Sequence, residues 1–313
     1  MTKSILFSDW AVQWLESVRG TVKSNTFEAT YRNSVYNHLI PAFGEKRLNA
    51  IKPIDLQIFL NRSAEKYSID TVKKFKSCLK QMYEEAVFNG YCEKNPCYKL
   101  KTPQKEIGPA VIEEKIYTPQ QMRLIEEYAL NHRYGLDVLL LIETGMRRGE
   151  MLGLMWQDVN LEKRAIYIKQ AVAIVKENDV LNTKIGLPKN KSSNRVIPIS
   201  TAFAEYLSYQ KEKSNSVFVI HNKFNEVLNP RTWQRRHYDV FMKDMHNAFL
   251  DQNIDIPIYN PHRLRHSKAS EWVNDGLNLY AIAKTLGHSD LNMLKKRYAH
   301  SDLEEVRNLL NIK

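Results

Sequence analysis

Apolar residues recur at three- and four-residue steps through the first hundred positions, which is the spacing of one face of an α-helix. Four stretches carry this pattern, and none of them alternates as a strand does. We therefore predict a four-helix domain over residues 1–100. Its last helix buries one apolar stripe, made of Val72, Phe75, Leu79, Met82 and Ala86.

A row of lysines follows the neighbouring face of the same helix. Lys73, Lys76 and Lys80 fall at three- and four-residue spacing. Such a basic ridge can lie along a phosphate backbone, or it can be an ordinary solvated face. The helix by itself leaves both interpretations open.

The apolar period breaks off in NPCYKLKTPQKEIGPA, residues 95–110, which contains three prolines and a glycine. We place a linker at 101–116 and a second domain at 117–313. A helix with Thr118 as N-cap and Pro119 in its first turn opens that domain. A buried helix that ends at Gly145 follows.

Between residues 163 and 199 the pattern changes to short alternating or β-branched runs. RAIYIKQ, VAIV and RVIPI are typical of strands, and they predict a small antiparallel sheet. VFVI at 217–220 predicts one more short strand, and helical spacing otherwise continues to the C-terminus. The fold class is therefore mainly α with a small antiparallel sheet, an α+β protein.

Composition excludes several classes of protein. The longest apolar run, VLLLI at 138–142, is too short to span a bilayer, and the N-terminus lacks a secretory pattern. Three cysteines, Cys78, Cys92 and Cys97, are an odd number without metal-ligand spacing. We expect reduced thiols in a cytoplasmic protein, with no disulfide, no metal and no cofactor.

The net charge of the chain indicates what kind of molecule it binds. The 313 residues carry 46 lysines and arginines against 35 acidic residues, a net charge of +11. A basic balance of this size favours a polyanion, because neutralised phosphates release their condensed counterions. Many basic proteins merely have solvated surfaces, so the choice depends on motifs.

Two motifs bring arginine and histidine together. In TGMRRGE, residues 144–150, Arg147 and Arg148 lie about 100° apart if both are helical, so only one is expected to point into a given site. In PHRLRHSKASEWVNDG, residues 261–276, His262 and Arg265 share a helical face. A proton acceptor and a fixed cation thus lie side by side.

His262 and His266 are four residues apart, which is also a zinc-ligand spacing. The glutamate that a metalloprotease helix carries between its histidines is missing. Arg263 and Arg265 would in addition repel a dication. A zinc site is therefore disfavoured.

Further candidates come from two other segments. LPKNKSSNRVIP, residues 187–198, places Lys189 and Lys191 at the expected tip of a β-hairpin, where a long cationic side chain can reach into a groove. In LGHSDLNMLKKRYAH, residues 286–300, His288 follows a glycine and Tyr298 comes ten residues later. Each residue alone has an ordinary structural explanation.

Taken together, TGMRRGE, PHRLRH, LGHSD and RYAH resemble the boxes of the tyrosine recombinases, the integrases of phages and of conjugative transposons. The resemblance extends over nearly the whole chain. It implies a helical, SAM-like core-binding domain at 1–100 and a catalytic domain with a C-terminal helix at 117–313. The catalytic residues that it implies are Arg147, Lys189, His262, Arg265, His288 and the nucleophile Tyr298.

Within this set the lysine is the open choice, since Lys191 is the alternative to Lys189. Arg148 becomes the non-catalytic neighbour of Arg147. Lys73, Lys76, Lys80 and Lys191 are expected to contact DNA.

The resemblance also implies the reaction and the partners. The enzyme is expected to cut and rejoin double-stranded DNA at attachment sites through a 3′-phosphotyrosyl intermediate, without a metal or another cofactor. A monomer in free solution is expected to act as a tetramer on two DNA duplexes, with DNA-bending or excision factors as accessory partners and no membrane. Two other interpretations stay open: an enzyme like type IB topoisomerases or telomere resolvases, and a non-catalytic DNA-binding regulator.

Overall fold

The computed structural model describes residues 4–104, 116–177, 180–186 and 194–287. Two compact units divide the chain: the first reaches to Ile112 and includes Val175–Leu181, and the second comprises Glu113–Ile174 and Asn182–Lys313. Most of the predicted linker lies outside the described residues, so the bounds 1–100, 101–116 and 117–313 stay a prediction.

The first unit is helical. It contains α1 (Phe7–Val18), a helical stretch formed by α2 (Ser24–Thr26), π-helical turns at Phe27–Arg32 and Val35–Leu39 and α3 (Ile40–Phe43), then a 3₁₀ turn at Leu48–Ala50, α4 (Pro53–Lys66) and α5 (Ile69–Phe88). These are the four helical stretches that the apolar period predicts.

The long helix α5 forms the centre of this unit. Ser68 caps it, since its hydroxyl accepts a hydrogen bond from the Thr71 amide at 3.3 Å. All five residues of the predicted stripe are buried. The indole of Trp10 on α1 donates to the Met82 carbonyl at 3.0 Å, so a polar contact also fixes the packing of α1 on α5.

The three cysteines are buried and carry free thiols. Burial raises the pKa of Cys78 to about 11 and that of Cys97 to about 12. Both groups therefore stay protonated at neutral pH, and they serve as small apolar core residues.

The second unit is mainly helical too. Its helices are α6 (Pro119–Asn131), α7 (Gly135–Thr144), α8 (Arg148–Leu152), α9 (Thr201–Lys213), α10 (Pro230–Trp233), α11 (Asp239–Leu250), α12 (Pro261–Asn274) and α13 (Leu279–Leu286), with a 3₁₀ turn at Trp156–Asp158 and a π-helical turn at Gln234–Tyr238. The predicted cap is present, because Thr118 and Gln121 exchange side-chain to backbone hydrogen bonds at 3.2 and 3.0 Å.

Five short strands lie between α8 and α9 in the chain, and the described parts of Val175–Leu181 in β3 and β4 are grouped with the first unit. They are β1 (Val159–Asn160), β2 (Ala165–Ile168), β3 (Ala171–Glu177), β4 (Val180–Gly186) and β5 (Arg195–Pro198). One sheet has the antiparallel order β1-β2-β5, with Ile166 opposite Ile197, and β3 pairs with β4 in a second sheet. The predicted α+β class is confirmed.

Two local predictions for this region are wrong. VFVI is no strand, since only Phe218 forms an isolated bridge, opposite Met155. Phe218, Val219 and Ile220 are buried, whereas Val217 is exposed, and too few backbone pairs form to make a ladder. Among the described residues, β5 pairs with β2 whereas β4 pairs with β3, so no hairpin arises from β4 and β5.

Helix α7 is the most buried element of the second unit. Val138, Leu140 and Ile142 are fully inaccessible to solvent. The carboxylate of Asp137, also buried, accepts a hydrogen bond from the Trp233 indole at 2.6 Å. Within the described part of the chain, no helix combines the length and the apolar character needed to cross a bilayer.

Glu126 on α6 allows a stability prediction. Burial raises the pKa of Glu126 to about 7, with Lys268 opposing the rise and the charges of Glu143 and Glu271 adding to it. A raised pKa means that the folded state holds the proton more tightly than the unfolded chain. Stability is therefore lost as pH rises from the unfolded pKa near ~4.3 through about 7.

We expect Glu126→Gln to stabilise the protein at pH 8, by on the order of 1 kcal/mol after allowance for partial solvent exposure. At pH 5 the gain should be much smaller. Thermal melts of both proteins at the two pH values measure it, and Glu127→Gln on the exposed side of α6 is the control. An equal shift at both pH values would contradict the argument.

Candidate active site

The turn between α7 and α8 sets the position of Arg147. Gly145 ends α7 in a left-handed conformation, with φ at +58°. A Cβ at this glycine would lie 2.7 Å from a methyl carbon of Leu286, so the close approach of α13 also requires glycine. Arg147 then has extended backbone and serves as the N-cap of α8.

This cap corrects one expectation. The 100° separation assumed that Arg147 and Arg148 are both helical, but only Arg148 lies within α8. Both arginines border the same cavity. Arg148 donates to the Gln234 side chain at 3.0 Å, and burial lowers its pKa.

Helix α12 supplies the second pair of residues. Asn260 caps it by accepting a hydrogen bond from the His262 amide at 3.1 Å, and Pro261 occupies the first turn. His262 is exposed and Arg265 is 2% exposed. They are one turn apart on the face that borders the cavity, as the spacing predicts.

The cavity measures about 290 Å³. Its lining unites the residues that the sequence places in two separate motifs. It is formed by Met146, Arg147, Arg148, Gln234, Asn260, Pro261, His262 and Arg265. Six of these eight side chains, three arginines, one histidine and two amides, can donate hydrogen bonds.

Arg265 is held by backbone carbonyls and not by a carboxylate. Its terminal nitrogens donate to Gly145 and to Leu286, each at 2.7 Å. Its buried Nε has no partner among the described residues. Burial and the nearby charge of Arg147 lower the pKa of Arg265 to about 9, so the group stays positively charged at neutral pH.

A buried carboxylate, Glu150, organises the arginines. Each carboxylate oxygen accepts two hydrogen bonds. Oε1 accepts from the Arg147 guanidinium at 2.9 Å and from Arg195 at 3.0 Å. Oε2 accepts from the Arg147 backbone amide at 2.8 Å and from Arg195 at 2.8 Å. Burial alone would raise the pKa of Glu150, but its hydrogen bonds and charge contacts with Arg195 and Arg147 lower it. Glu150 is therefore ionised.

The local charges do not balance. Arg147, Arg195 and Arg265 meet one carboxylate, that of Glu150, among the described residues. Backbone carbonyls accept from one further nitrogen of Arg147 and from two nitrogens of Arg265, and they do so without cancelling the charge. A cavity with excess positive charge and free N–H donors is suited to an anion with several oxygens, such as a phosphate group.

The described residues offer no metal centre. No three His, Cys, Asp or Glu side chains are grouped as ligands in that part of the chain. The rings of His262 and His266, whose spacing suggested zinc, pack edge to face with centroids 4.4 Å apart.

Four predicted site residues, Lys189, Lys191, His288 and Tyr298, lie outside the described residues. His288 directly follows Gly287, whose carbonyl accepts a hydrogen bond from Arg147 at 2.9 Å. The chain therefore leaves α13 at the edge of the arginine cluster.

The lysine ridge on α5 is only partly available. Lys73 pairs with Asp70 at 3.2 Å and Lys80 with Glu84 at 3.7 Å, both on their own helix. Lys76 reaches the Thr102 hydroxyl at 3.4 Å. All three contacts are weak at a solvated surface, so the ridge stays a candidate for DNA contact.

Sequence reasoning missed Glu150 and Arg195. A signal existed for Glu150, because it stands three residues after Arg147, at capping-box spacing. Arg195 had no such signal, since its partner lies 45 residues away. Arg235 and Arg236, exposed beside the cavity residue Gln234, were also missed.

Comparison with known proteins identifies the family. The model of the phage integrase family matches residues 115–305, and that of the phage integrase N-terminal SAM-like domain matches residues 6–63. A tyrosine recombinase XerC-like protein of Caldanaerobacter subterraneus subsp. tengcongensis is 29% identical over 332 residues, covering 95% of this chain and 80% of the relative.

Solved structures agree in fold. The Tn1549 transposon integrase in complex with transposon right end DNA superposes with a TM-score of 0.77 at 19% identity, over 98% of this chain and 99% of the other. A lambda integrase tetramer bound to a Holliday junction gives a TM-score of 0.64 at 17% identity, over 91% and 78% of the two chains. The suspected resemblance is thereby confirmed. Since the family model covers more than half of its length, this chain belongs to the phage integrase family, the tyrosine recombinases, and is a site-specific recombinase.

Proposed function

We propose that Tyr298 attacks a DNA phosphodiester held by Arg147, Arg265 and His262, and that the chain integrates or excises a mobile element in this way. The observation that supports the proposal best is the single cavity shared by these three residues from two distant motifs. A phosphodiester is an anion, and its attacked form gathers further charge on the non-bridging oxygens. Preorganised guanidinium groups stabilise that charge where it develops.

The proton transfers follow from the remaining residues. The Tyr298 oxygen forms a bond to phosphorus, and its proton passes to His262, since a phenol with a pKa near ~10 needs an acceptor. The bond from phosphorus to the 5′ oxygen breaks, and Lys189, or Lys191 in its place, supplies the proton that this oxygen takes up. His288 donates a hydrogen bond to the phosphate. The products are a 3′-phosphotyrosyl link and a free 5′ hydroxyl.

Because the ester is exchanged and not hydrolysed, a second DNA 5′ hydroxyl can reverse the step on another strand. The bond energy stays in the covalent intermediate, so the exchange requires no nucleotide hydrolysis. Arginine charge takes the role that a divalent cation has in many nucleases, and the proposed reaction requires no metal.

Double-stranded DNA is the proposed partner of both units. Two of the solved relatives were seen with DNA, one as a tetramer on a Holliday junction. By analogy we propose that four copies act on two duplexes and that the free chain is monomeric. Accessory DNA-bending or excision factors and a cytoplasmic location complete the proposal.

Two alternatives use similar residues. An enzyme like type IB topoisomerases or telomere resolvases would make the same covalent link but would rejoin without exchanging partners between two duplexes. A DNA-binding regulator would retain the basic surface without any covalent link. Arg265, buried at the cavity without a carboxylate partner among the described residues, favours an enzyme, because binding to DNA can be achieved with exposed charges at lower cost to stability.

The first prediction concerns the nucleophile. We expect the parent chain to become covalently attached to nicked duplex DNA in the presence of a chelator, and Tyr298→Phe to lose the attachment completely. A pool of nicked duplexes with varied core sequence avoids the need to know the target. Denaturing gels followed by sequencing of the trapped DNA provide the measurement.

For a matched control, Tyr280→Phe alters an exposed tyrosine on α13 and should attach at the parental rate. Attachment by Tyr298→Phe, or strict dependence on added magnesium, would contradict the mechanism.

A second prediction tests the cavity without DNA. Inorganic phosphate should raise the melting temperature of the parent chain above its value in chloride of equal ionic strength, because a ligand that binds only the folded state stabilises it. Arg147→Gln should abolish the increment. Arg164→Gln, on an exposed turn before β2, should preserve the increment in melting temperature. A loss of the increment in both variants would contradict binding in the cavity, because it would show that phosphate responds to the total positive charge of the protein.

A third prediction concerns DNA affinity. The binding constant should fall steeply with salt, with a log–log slope of roughly −0.9 for each phosphate neutralised. Two double variants, one with Arg235 and Arg236 replaced by glutamine and one with Lys73 and Lys80 replaced by glutamine, should each show a shallower slope. Lys211→Gln on α9 is the control, and fluorescence anisotropy over a salt series measures all four proteins. A flat titration of the parent chain would count against DNA as the partner.

A further inference from the structure

Arg195 is a buried arginine for which the proposed mechanism has no role. It begins β5, pairs with Ile168 of β2, and its side chain is 3% exposed. Burying a guanidinium in this way is costly unless its contacts repay the lost hydration. We propose that Arg195 is a positioning residue: it keeps Glu150 from drawing Arg147 away from the cavity, and it fixes the end of α13. The inference rests on the proposed function.

All the hydrogen-bond acceptor sites of Glu150 are occupied. A carboxylate has about four acceptor sites, and Arg195 fills two of them in a fork-to-fork contact at 3.0 and 2.8 Å. Arg147 fills the other two, one with its backbone amide and one with a single guanidinium nitrogen. Glu150 therefore holds the Arg147 side chain at one nitrogen and the Gly287 carbonyl holds it at a second, so that neither contact is the two-pronged pair that would neutralise the guanidinium.

Without Arg195, this balance would change. Glu150 would remain buried next to Arg147, with two empty acceptor sites. An ion pair between arginine and carboxylate prefers two parallel hydrogen bonds, so the Arg147 guanidinium would turn toward Glu150. The charge that is available to a phosphate in the cavity would fall accordingly.

The carboxyl end of α13 is surrounded by arginines. Three consecutive carbonyls at this helix terminus accept hydrogen bonds from three arginines: Thr285 from Arg195 at 2.5 Å, Leu286 from Arg265 at 2.7 Å and Gly287 from Arg147 at 2.9 Å. Cations are favourable at the negative end of a helix. The three guanidinium groups thus fix the last turn before His288.

Gly287 brings the backbone close to Arg195. Its φ is +68°, and a Cβ at this position would lie 3.0 Å from a terminal nitrogen of Arg195 and 3.2 Å from its Cζ. The Arg195 guanidinium thus lies directly against the glycine backbone. A side chain at this position would push the guanidinium by a few tenths of an ångström, and its hydrogen bonds to Glu150 and Thr285 would be strained.

Arg195 also ties the sheet to the cluster. It lies four residues after Lys191 in the chain, and the β2 pairing fixes its backbone. One side chain thus connects the strand that follows the candidate lysines, the carboxylate behind Arg147 and the helix that leads to His288. A residue with these contacts can influence the reaction without touching DNA.

The first test measures how fast the full-length chain attaches to nicked DNA that the parent chain traps. Arg195→Met removes all donors and keeps much of the side-chain length. We expect attachment to slow by roughly 100-fold, the effect of a misplaced catalytic group, while affinity for the same DNA stays unchanged. Arg164→Met is the matched control and should react at the parental rate. Parental rates for Arg195→Met would overturn the inference.

The double variant Arg195→Met with Glu150→Gln is the decisive comparison. Glutamine has no charge with which to neutralise Arg147, so this second change should recover about tenfold of the lost rate. Glu150→Gln alone should slow the parent chain. A purely structural role for Arg195 predicts the opposite, two losses that add, and that result would overturn the inference.

Glycine variants give an independent arm. Gly287→Ala and Gly276→Ala place the same methyl group at φ values of +68° and +77°, but only the first meets another residue. Both should melt at similarly lowered temperatures, whereas only Gly287→Ala should slow attachment. When Arg195→Met is already present, adding Gly287→Ala should slow attachment no further. If it does slow attachment further, the methyl group does not act through Arg195.

If Arg195→Met does not fold, the variant Arg195→Lys provides the test of the inference. A lysine keeps the charge, but its single nitrogen cannot fill both Glu150 oxygens in the fork geometry. We expect roughly tenfold slower attachment at an unchanged melting temperature, and the parental rate would overturn the inference. Failure of the parent chain to trap any DNA would instead count against the proposed function.

Discussion

The second unit depends on one constraint: three arginines are brought together, and among the described residues a single buried carboxylate, that of Glu150, offsets only part of their charge. Removing a charged side chain from water costs several kcal/mol per ion. A full set of carboxylates would offset that cost but would also cancel the charge. Carbonyl groups at the ends of α7 and α13 provide a compromise, because they satisfy N–H donors and stay neutral. The positive charge is therefore retained and aimed at the cavity.

The fold supplies these carbonyls through helix ends. Gly145 and Gly287 both adopt the left-handed conformation that terminates a helix and turns its last carbonyls outward. A Cβ at either glycine would press on a neighbouring side chain, that of Leu286 at Gly145 and that of Arg195 at Gly287. Close packing of the two helix ends therefore decides where Arg147 and Arg265 point. Among the described residues, Arg147 caps α8 and both His262 and Arg265 lie on α12, so the donors of the cavity are held by helices.

Much of the fold and part of the candidate site could be predicted from the sequence, for identifiable physical reasons. Helix spacing located the buried stripe of α5, and one-turn spacing put His262 and Arg265 on a common face. The cap of α6 followed from its residue types. Predictions failed where tertiary contacts decide: Arg147 is a cap and not a helical residue, and three of the four VFVI residues are buried although the segment forms only an isolated bridge. Arg195 could not be located, because its role arises from contacts 45 and 90 residues away.

The cost of the arginine cluster bears on the choice among functions. Natural proteins tolerate an arrangement that lowers stability where it serves activity. A regulator that only binds DNA gains affinity from exposed lysines and arginines, whose charges remain hydrated, and it has no need for Arg265 at 2% exposure with a pKa lowered to about 9. An enzyme does need such a group, because a fixed, poorly hydrated donor stabilises a transition state more than the ground state. The energetic expense of burying Arg265 and Arg195 is thus better explained by phosphoryl transfer than by recognition alone.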